Sequence, residues 1–360
     1  MKLLFSGLAL FAAAVATAAP ADAATVVLGG YPDQLQFIND VTGKVTDKVT
    51  LDEGLPNRIQ LSSDGSKIYV TTMSSGIEVV DARSHKVLNH FTLNGPLTRY
   101  RLNGMAVDPS GRYLYAIGHR IDKLIDRYRF GKPQYFAVDL QEKKVIRSAD
   151  VDEKAKTGGR PRLQVSPDGK SLYVFGKKIE VLNVADFKVA KTIDLSRPEM
   201  PWKQDVNMGD ALDSLRGQKE YVSLYESRDP YIHNKIFGIA RFDLATQDVT
   251  YRPVGAEPQA IVGLQVTPDG QDAYTVVVNG DAGSRRCEFW HYNLTTAVAV
   301  AHAEFACRRR FYFGMSHDGS SLYIYGAGYD VASYDAKTLK YRTDWELGND
   351  ITMAGIITLP

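Results

Sequence analysis

The chain has 360 residues, with 43 lysines and arginines against 42 aspartates and glutamates, a balance that excludes a general electrostatic role on nucleic acid. It carries 20 tyrosines and twice as many glycines as prolines, 30 to 15. That composition favours many short strands joined by tight turns over a helical fold.

The first element is a targeting segment. Met1-Lys2 gives a short positive start, and Leu3 to Ala19 is almost unbroken apolar sequence. Ala21-Asp22-Ala23 then offers small residues at the two positions a signal peptidase reads. Residues 1–23 are therefore expected to be a secretory signal cleaved after Ala23, leaving residues 24–360 as one exported domain. The rival reading is an uncleaved anchor helix, but the stretch is alanine-rich and short for a span. No later segment is apolar for long enough to cross a bilayer. In a Gram-negative source the expected location is the periplasm.

Along the rest of the chain one pattern recurs: a short apolar strand, a turn ending in Gly, then a strand carrying an aromatic residue. The copies are Ser63-Asp64-Gly65 with Ile68-Tyr69-Val70, Pro109-Ser110-Gly111 with Leu114-Tyr115, and Pro167-Asp168-Gly169 with Leu172-Tyr173-Val174. Two more follow, Pro268-Asp269-Gly270 with Ala273-Tyr274 and His317-Asp318-Gly319 with Leu322-Tyr323-Ile324. Gly supplies the positive φ that such a turn needs, and Asp tolerates the same region. The turn glycines stand 46, 58, 101 and 49 residues apart. The gap of 101 residues is two periods, and the degenerate Leu215-Arg216-Gly217 with Tyr221 to Tyr225 fills it.

Each copy continues into a third strand ending in Asp and a fourth opening near Lys-Val, as in Val79-Val80-Asp81 and Lys86-Val87-Leu88. Four strands per repeat is the grammar of a propeller blade. The N-terminus supplies three strands, at Val26 to Leu28, Leu35 to Ile38 and Val45 to Leu51, and the C-terminus has one to spare, Ile351 to Leu359. An all-β, seven-bladed β-propeller follows, its ring closed by the C-terminal strand completing the N-terminal blade. Closure removes exposed sheet edges. Six or eight blades follow instead if the degenerate fifth copy is misread.

In such a blade the Asp-Gly turns share one face with the third-to-fourth turns. Longer connections fall on the other: Gly118 to Lys132, Glu226 to Lys235, Asn279 to Arg286, Asp152 to Pro161 and Ser196 to Asp213. They hold Arg, Tyr, His and Trp202 rather than linker composition, so an ordered, partner-facing surface is expected. Arginine concentrates on the same face, at Arg99, Arg101, Arg127, Arg129, Arg160, Arg162, Arg285, Arg286 and Arg308 to Arg310.

No catalytic constellation is expected. The only cysteines, Cys287 and Cys307, flank a hairpin centred on Thr296-Ala297 and are expected to face one another as a structural disulfide. In that register His291 pairs with Ala303 and His302 with Tyr292, so the two imidazoles point to opposite sheet faces and share no metal. Asp81, Asp139, Asp243 and Asp335 recur at one blade position and read as turn caps. No HExxH, GxSxG, phosphate loop or CxxCH occurs.

The closing stretch, FYFGMSHDGSSLYIYGAGYDVASYDAKTLKYRTDWELGNDITMAGIITL, resembles the last blade of the β subunit of quinohemoprotein amine dehydrogenase. SPDGKSLYVFGKKIEVLNVADFKVAKTIDL and the fifth-blade ending GIARFDLATQDV are similar to other blades of that subunit. The motif core is shared with YVTN-type propellers and the methylamine dehydrogenase heavy chain. The resemblance implies a non-catalytic propeller subunit in a periplasmic complex that oxidises primary amines to aldehyde and ammonia. It implies no cofactor on this chain, cysteine tryptophylquinone on a small partner subunit, and haem c on a dihaem cytochrome partner. The Cys287–Cys307 pair departs from that pattern.

The alternatives are a stand-alone YVTN-type periplasmic binding propeller and a lactonase-like hydrolase with a metal in the central channel. The expected inner strands, such as Leu163-Gln164-Val165, hold no acidic cluster for the second of these. Expected partner-facing residues are Arg99, Tyr100, Arg101, Arg160, Arg162, Arg310, Phe311 and Tyr312 at strand entries, with Trp202 above them.

Overall fold

The computed structural model describes residues 24–152, 162–196, 204–208, 219–228, 231, 234–281 and 283–360. The expected signal segment lies outside them. Among the described residues no helix is long and apolar enough to cross a membrane.

Seven four-stranded antiparallel sheets form a seven-bladed β-propeller. The first blade takes β1 (Thr25–Gly30), β2 (Gln34–Asn39) and β3 (Val45–Thr50). The second is β4 (Pro56–Leu61), β5 (Lys67–Thr72), β6 (Gly76–Asp81) and β7 (Val87–Thr92). The third is β8 (Thr98–Val107), β9 (Tyr113–Lys123), β10 (Tyr128–Asp139) and β11 (Lys144–Asp150). The fourth is β12 (Arg162–Val165), β13 (Ser171–Phe175), β14 (Lys178–Asn183) and β15 (Val189–Asp194). The fifth is β16 (Gln204–Met208), β17 (Glu220–Arg228), β18 (Lys235–Asp243) and β19 (Val249–Ala256). The sixth is β20 (Ala260–Val266), β21 (Asp272–Asn279), β22 (Arg286–Asn293) and β23 (Val298–Phe305). The seventh is β24 (Tyr312–Met315), β25 (Ser321–Tyr325), β26 (Asp330–Asp335) and β27 (Tyr341–Glu346). The last strand, β28 (Ile351–Leu359), pairs with β1 through Thr25↔Leu359 and Val27↔Ile357 and closes the ring as expected.

The core is divided among the blade interfaces. Tyr173, Phe175 and Val181 of the fourth blade pack on Tyr221, Tyr225 and Phe242 of the fifth. Tyr323 and Trp345 of the seventh pack on Val26, Leu28 and Ile38 of the first. Full burial of one such apolar side chain contributes about 1.5–3 kcal/mol, so each interface holds through a handful of rings. Second strands such as β5 and β25 are almost wholly buried, whereas β11 alternates exposed and half-buried positions at the rim.

The third-to-fourth turns repeat in all seven blades. A side-chain oxygen of Asn39, Asp81, Asp139, Asn183, Asp243, Asn293 or Asp335 accepts from an amide two or three residues on. Four residues after each stands a positive φ, at Gly43, His85, Lys143, Phe187, Gln247, Ala297 and Leu339. This is the turn-and-cap role expected for the aspartates. The Asp-Gly turns likewise hold Gly65, Gly111, Gly169, Gly270 and Gly319 at φ between 68° and 78°. Gly217 of the degenerate copy lies outside the described residues, although its following strand, β17, is present.

Three expectations need correction. Gly118 to Lys132 is not a loop: β9 and β10 run on as a hairpin, closed by Leu124 N–H donating to the Arg127 carbonyl at 2.8 Å. The Ser196 to Asp213 connection contains β16, the innermost strand of the fifth blade. The sixth-blade hairpin is offset, because the Asn293-capped turn sits earlier than Thr296-Ala297 and a bulge follows His291. Trp290 therefore pairs with His302 and His291 with Ala301. The offset is even, so the two histidines still occupy opposite faces.

Candidate functional site

A channel of about 1290 Å3 is lined by the inner strands of five blades, β28, β4, β8, β12 and β24, and by residues of both faces. Strand direction sorts its lining. Each inner strand enters from the face of the long connections and leaves at an Asp-Gly turn. Arg58, Arg99, Arg101, Arg162, Tyr312 and Met353 therefore lie at the entry mouth, and Asp64, Asp108 and His317 at the exit.

The entry mouth is shaped by irregular pairing. Register shifts occur between Pro56 and Arg58 on β4 and between Leu102 and Gly104 on β8. The extra residues, Asn57 and Asn103, both line the channel. A bulge bends its strand and re-aims the side chains beyond it.

There the third blade rises above the ring as a three-stranded extension. Arg99 stands opposite Ile121, Arg101 opposite His119, and Ile121 in turn opposite Phe130. Gly118 permits the close approach, since a Cβ there would sit 2.1 Å from the Arg101 carbonyl oxygen. Strand alternation gives the extension two different faces. One carries Arg120, Asp122 and Arg129, with Asp122 bonded to Arg120 at 3.0 Å and to Arg129 at 2.7 Å. These guanidiniums, Arg129 foremost, hold the Asp122 carboxyl below its ordinary range. The other face carries Arg99, Arg101, Ile121, Tyr128 and Phe130. Near its tip Leu97 is 66% exposed, Phe130 67% and Ile125 wholly so.

The expected partner-facing residues divide accordingly. Arg99, Tyr100, Arg101, Arg162 and Tyr312 all line the channel. Tyr100 also packs edge-on against Phe136 at 5.4 Å, its amide held by Asn94. Arg310 is exposed just before β24, outside the channel lining. Phe311 is buried, its ring 6.1 Å from Phe305 in the interface of the sixth and seventh blades. Arg160 and Trp202 lie outside the described residues. Several arginines of this face are engaged within the fold: Arg286 with Glu304, and Arg308 with Asp330.

Cys287 and Cys307 form a disulfide with Cα atoms 5.1 Å apart. They are not cross-strand partners as expected. Cys287 pairs with Phe305, and Cys307 lies two residues past it, so the bond clips the exit of β23 back onto β22. A disulfide fits an oxidising compartment. Among the described residues no group of three or more His, Cys, Asp or Glu is gathered to hold a metal.

The tip residues Leu97, Ile125, Tyr128 and Phe130, and the channel residues Arg58, Tyr325 and Met353, were not singled out by sequence. A signal existed in the alternation of Ile121, Tyr128 and Phe130 with charged neighbours, which is a strand pattern within an apparent loop.

No family profile matches the chain, and no curated protein does. Among solved structures it is similar to hydrazine synthase of Kuenenia stuttgartiensis, with 19% identity over 85% of this chain and 86% of that one and a TM-score of 0.50. It is similar also to the dihydro-heme d1 dehydrogenase NirN, with 13% identity over 93% and 75% and a TM-score of 0.53. A chain of the mitotic checkpoint complex gives 13% identity over 89% and 83% and a TM-score of 0.51. At these identities the likeness is one of fold.

Proposed function

We propose that this chain is an exported, non-catalytic propeller that docks a cofactor-bearing partner on the face of the third-blade extension. In the finer form of this reading it is the scaffold subunit of a periplasmic quinohemoprotein-type amine dehydrogenase. It holds a quinone-bearing small subunit and walls the site of primary amine oxidation, while a dihaem cytochrome subunit carries electrons away.

The observation that supports docking is the extension itself. A soluble ring gains nothing by holding Leu97, Ile125, Tyr128 and Phe130 in water beside arginines of the channel mouth. Apolar side chains with arginine and tyrosine at their margin are the composition of surfaces that become covered. The donor set supports placing the cofactors elsewhere. Both cysteines are consumed by the disulfide, so no thiol remains to bond a haem or a crosslinked quinone. The finer assignment rests on the sequence resemblance of the blades.

The test is gentle purification of the tagged chain from its native exported fraction, followed by an absorption spectrum and a dye-linked amine oxidation assay. Co-purifying c-type haem bands, a small quinone-staining polypeptide and amine oxidation are expected. Arg101→Glu or Tyr312→Ala is expected to weaken assembly without unfolding the ring. A colourless monomer contradicts the scaffold reading and favours the free-standing binding propeller.

A further inference from the structure

We propose that the entry mouth of the central channel is a binding site for a compact anion bearing two or more carboxylate or phosphate groups. Four guanidinium-bearing side chains line it from three successive blades: Arg58 on β4, Arg99 and Arg101 on β8, and Arg162 opening β12. The inner strands β4 and β12 both contact β8, so these arginines belong to one arc of the wall. Alternate positions on β8 put Arg99 and Arg101 on one side of the strand.

No aspartate or glutamate of the described residues lines that end. The two that line the channel, Asp64 and Asp108, lie in turns at the exit mouth. There the Ser62 hydroxyl and Ser66 amide hold the Asp64 carboxyl down to about 2, so it stays ionised and keeps the exit acidic. Among the described residues the channel is thus polarised along its length. Arg99 and Arg101 make no ion pair with any described residue, unlike Arg120 and Arg129 on the opposite face of the same extension.

Arg99 and Arg101 are like charges two residues apart on one side of β8, and an anion placed between them removes their mutual repulsion. Guanidinium groups recognise carboxylate and phosphate through paired N–H donors, and more than one fork on the wall suits a multivalent ligand better than a single charge. Asn57 and Asn103, projected by the bulges, add amides to the same lining. Pockets for small molecules commonly span about 300–1,000 Å3, so a channel of about 1290 Å3 accommodates such a ligand whole.

Isothermal titration calorimetry on the isolated full chain at low ionic strength tests this with citrate and pyrophosphate, with acetate as the monovalent control. Citrate or pyrophosphate is expected to bind one to one, at least about tenfold tighter than acetate, and more weakly as salt is added. The tighter of the two identifies carboxylate or phosphate as the source. Arg99→Gln combined with Arg101→Gln is expected to weaken binding by about tenfold or more, and Arg162→Gln is the independent second variant. Arg127→Gln, on the same face but outside the channel, is expected to change nothing. Absent heat with both anions overturns the proposal, as does unchanged binding in both the β8 and Arg162 variants. An equal loss in Arg127→Gln overturns it too, since that is general charge attraction. The site stands apart from the docking reading: the titration needs no partner, and a missing partner leaves it intact.

Discussion

On the face of the Asp-Gly turns, connections follow one solution around the ring, a side-chain oxygen of Asp or Asn capping the amides that follow it. On the opposite face the connections differ from blade to blade. The third blade extends by a three-stranded ribbon, and the sixth is clipped by a disulfide. Repetition on the first face serves closure, because seven equal wedges must share one angle. The described connections of the second face repeat no such turn. That is where side chains can be spent on partners and ligands.

The largest loss of stability is expected at a first-face turn. Gly43 lies at φ +66°, and a Cβ there would fall 2.0 Å from the Trp345 ring in the interface of the seventh and first blades. Gly43→Val combines left-handed strain with a clash and is expected to cost about 4 kcal/mol in urea unfolding. Replacing both cysteines by serine is expected to cost about 3 kcal/mol, from the chain entropy of a closure across a sequence separation of 20.

Asp335→Ala should remove about 1–2 kcal/mol. Its carboxylate accepts from the Thr338 amide at 2.7 Å and from Arg342 at 2.5 Å, and these hold it down to about 2. A carboxyl lowered in the folded state stabilises above its unfolded value near 3.9, and that contribution is lost as pH falls through about 2. Acid titration of the variant should therefore show a shallower loss of stability between about pH 4 and pH 2. Smallest in stability is Ile125→Ser with Phe130→Ser, expected to stay within about 0.5 kcal/mol of the parent because both side chains are already in water. The same pair should abolish partner assembly, which sharpens the distinction between the faces.

The legibility of the sequence follows the same division. The Asp-Gly turns and their aromatic strands could be counted because each turn demands particular residues for its backbone, and closure by Ile351 to Leu359 followed from an unmatched strand at either end. The third-blade extension was hidden because GHRIDKLIDRYRFGK is rich in charge and reads as a loop, while its strand pairing depends on partners far along β8. The channel arginines were visible only in part. Arg99, Arg101 and Arg162 stood out by clustering, whereas Arg58 lies alone in sequence and joins them only when the ring closes. Phe311 misled for the converse reason, since strand entry alone does not say which way a ring turns.

Lysine cross-linking of the chain in its native exported fraction, read by mass spectrometry, separates the two faces most directly. Lys123 and Lys132 flank the extension, while Lys143, Lys170, Lys188 and Lys337 mark the turns of the opposite face, and all six are exposed. Cross-links from Lys123 or Lys132 to a haem- or quinone-bearing polypeptide, with none from the other four, are the expected result. Cross-links to such a partner through Lys143, Lys170, Lys188 or Lys337, or no intermolecular cross-link at all, would contradict a partner-facing extension.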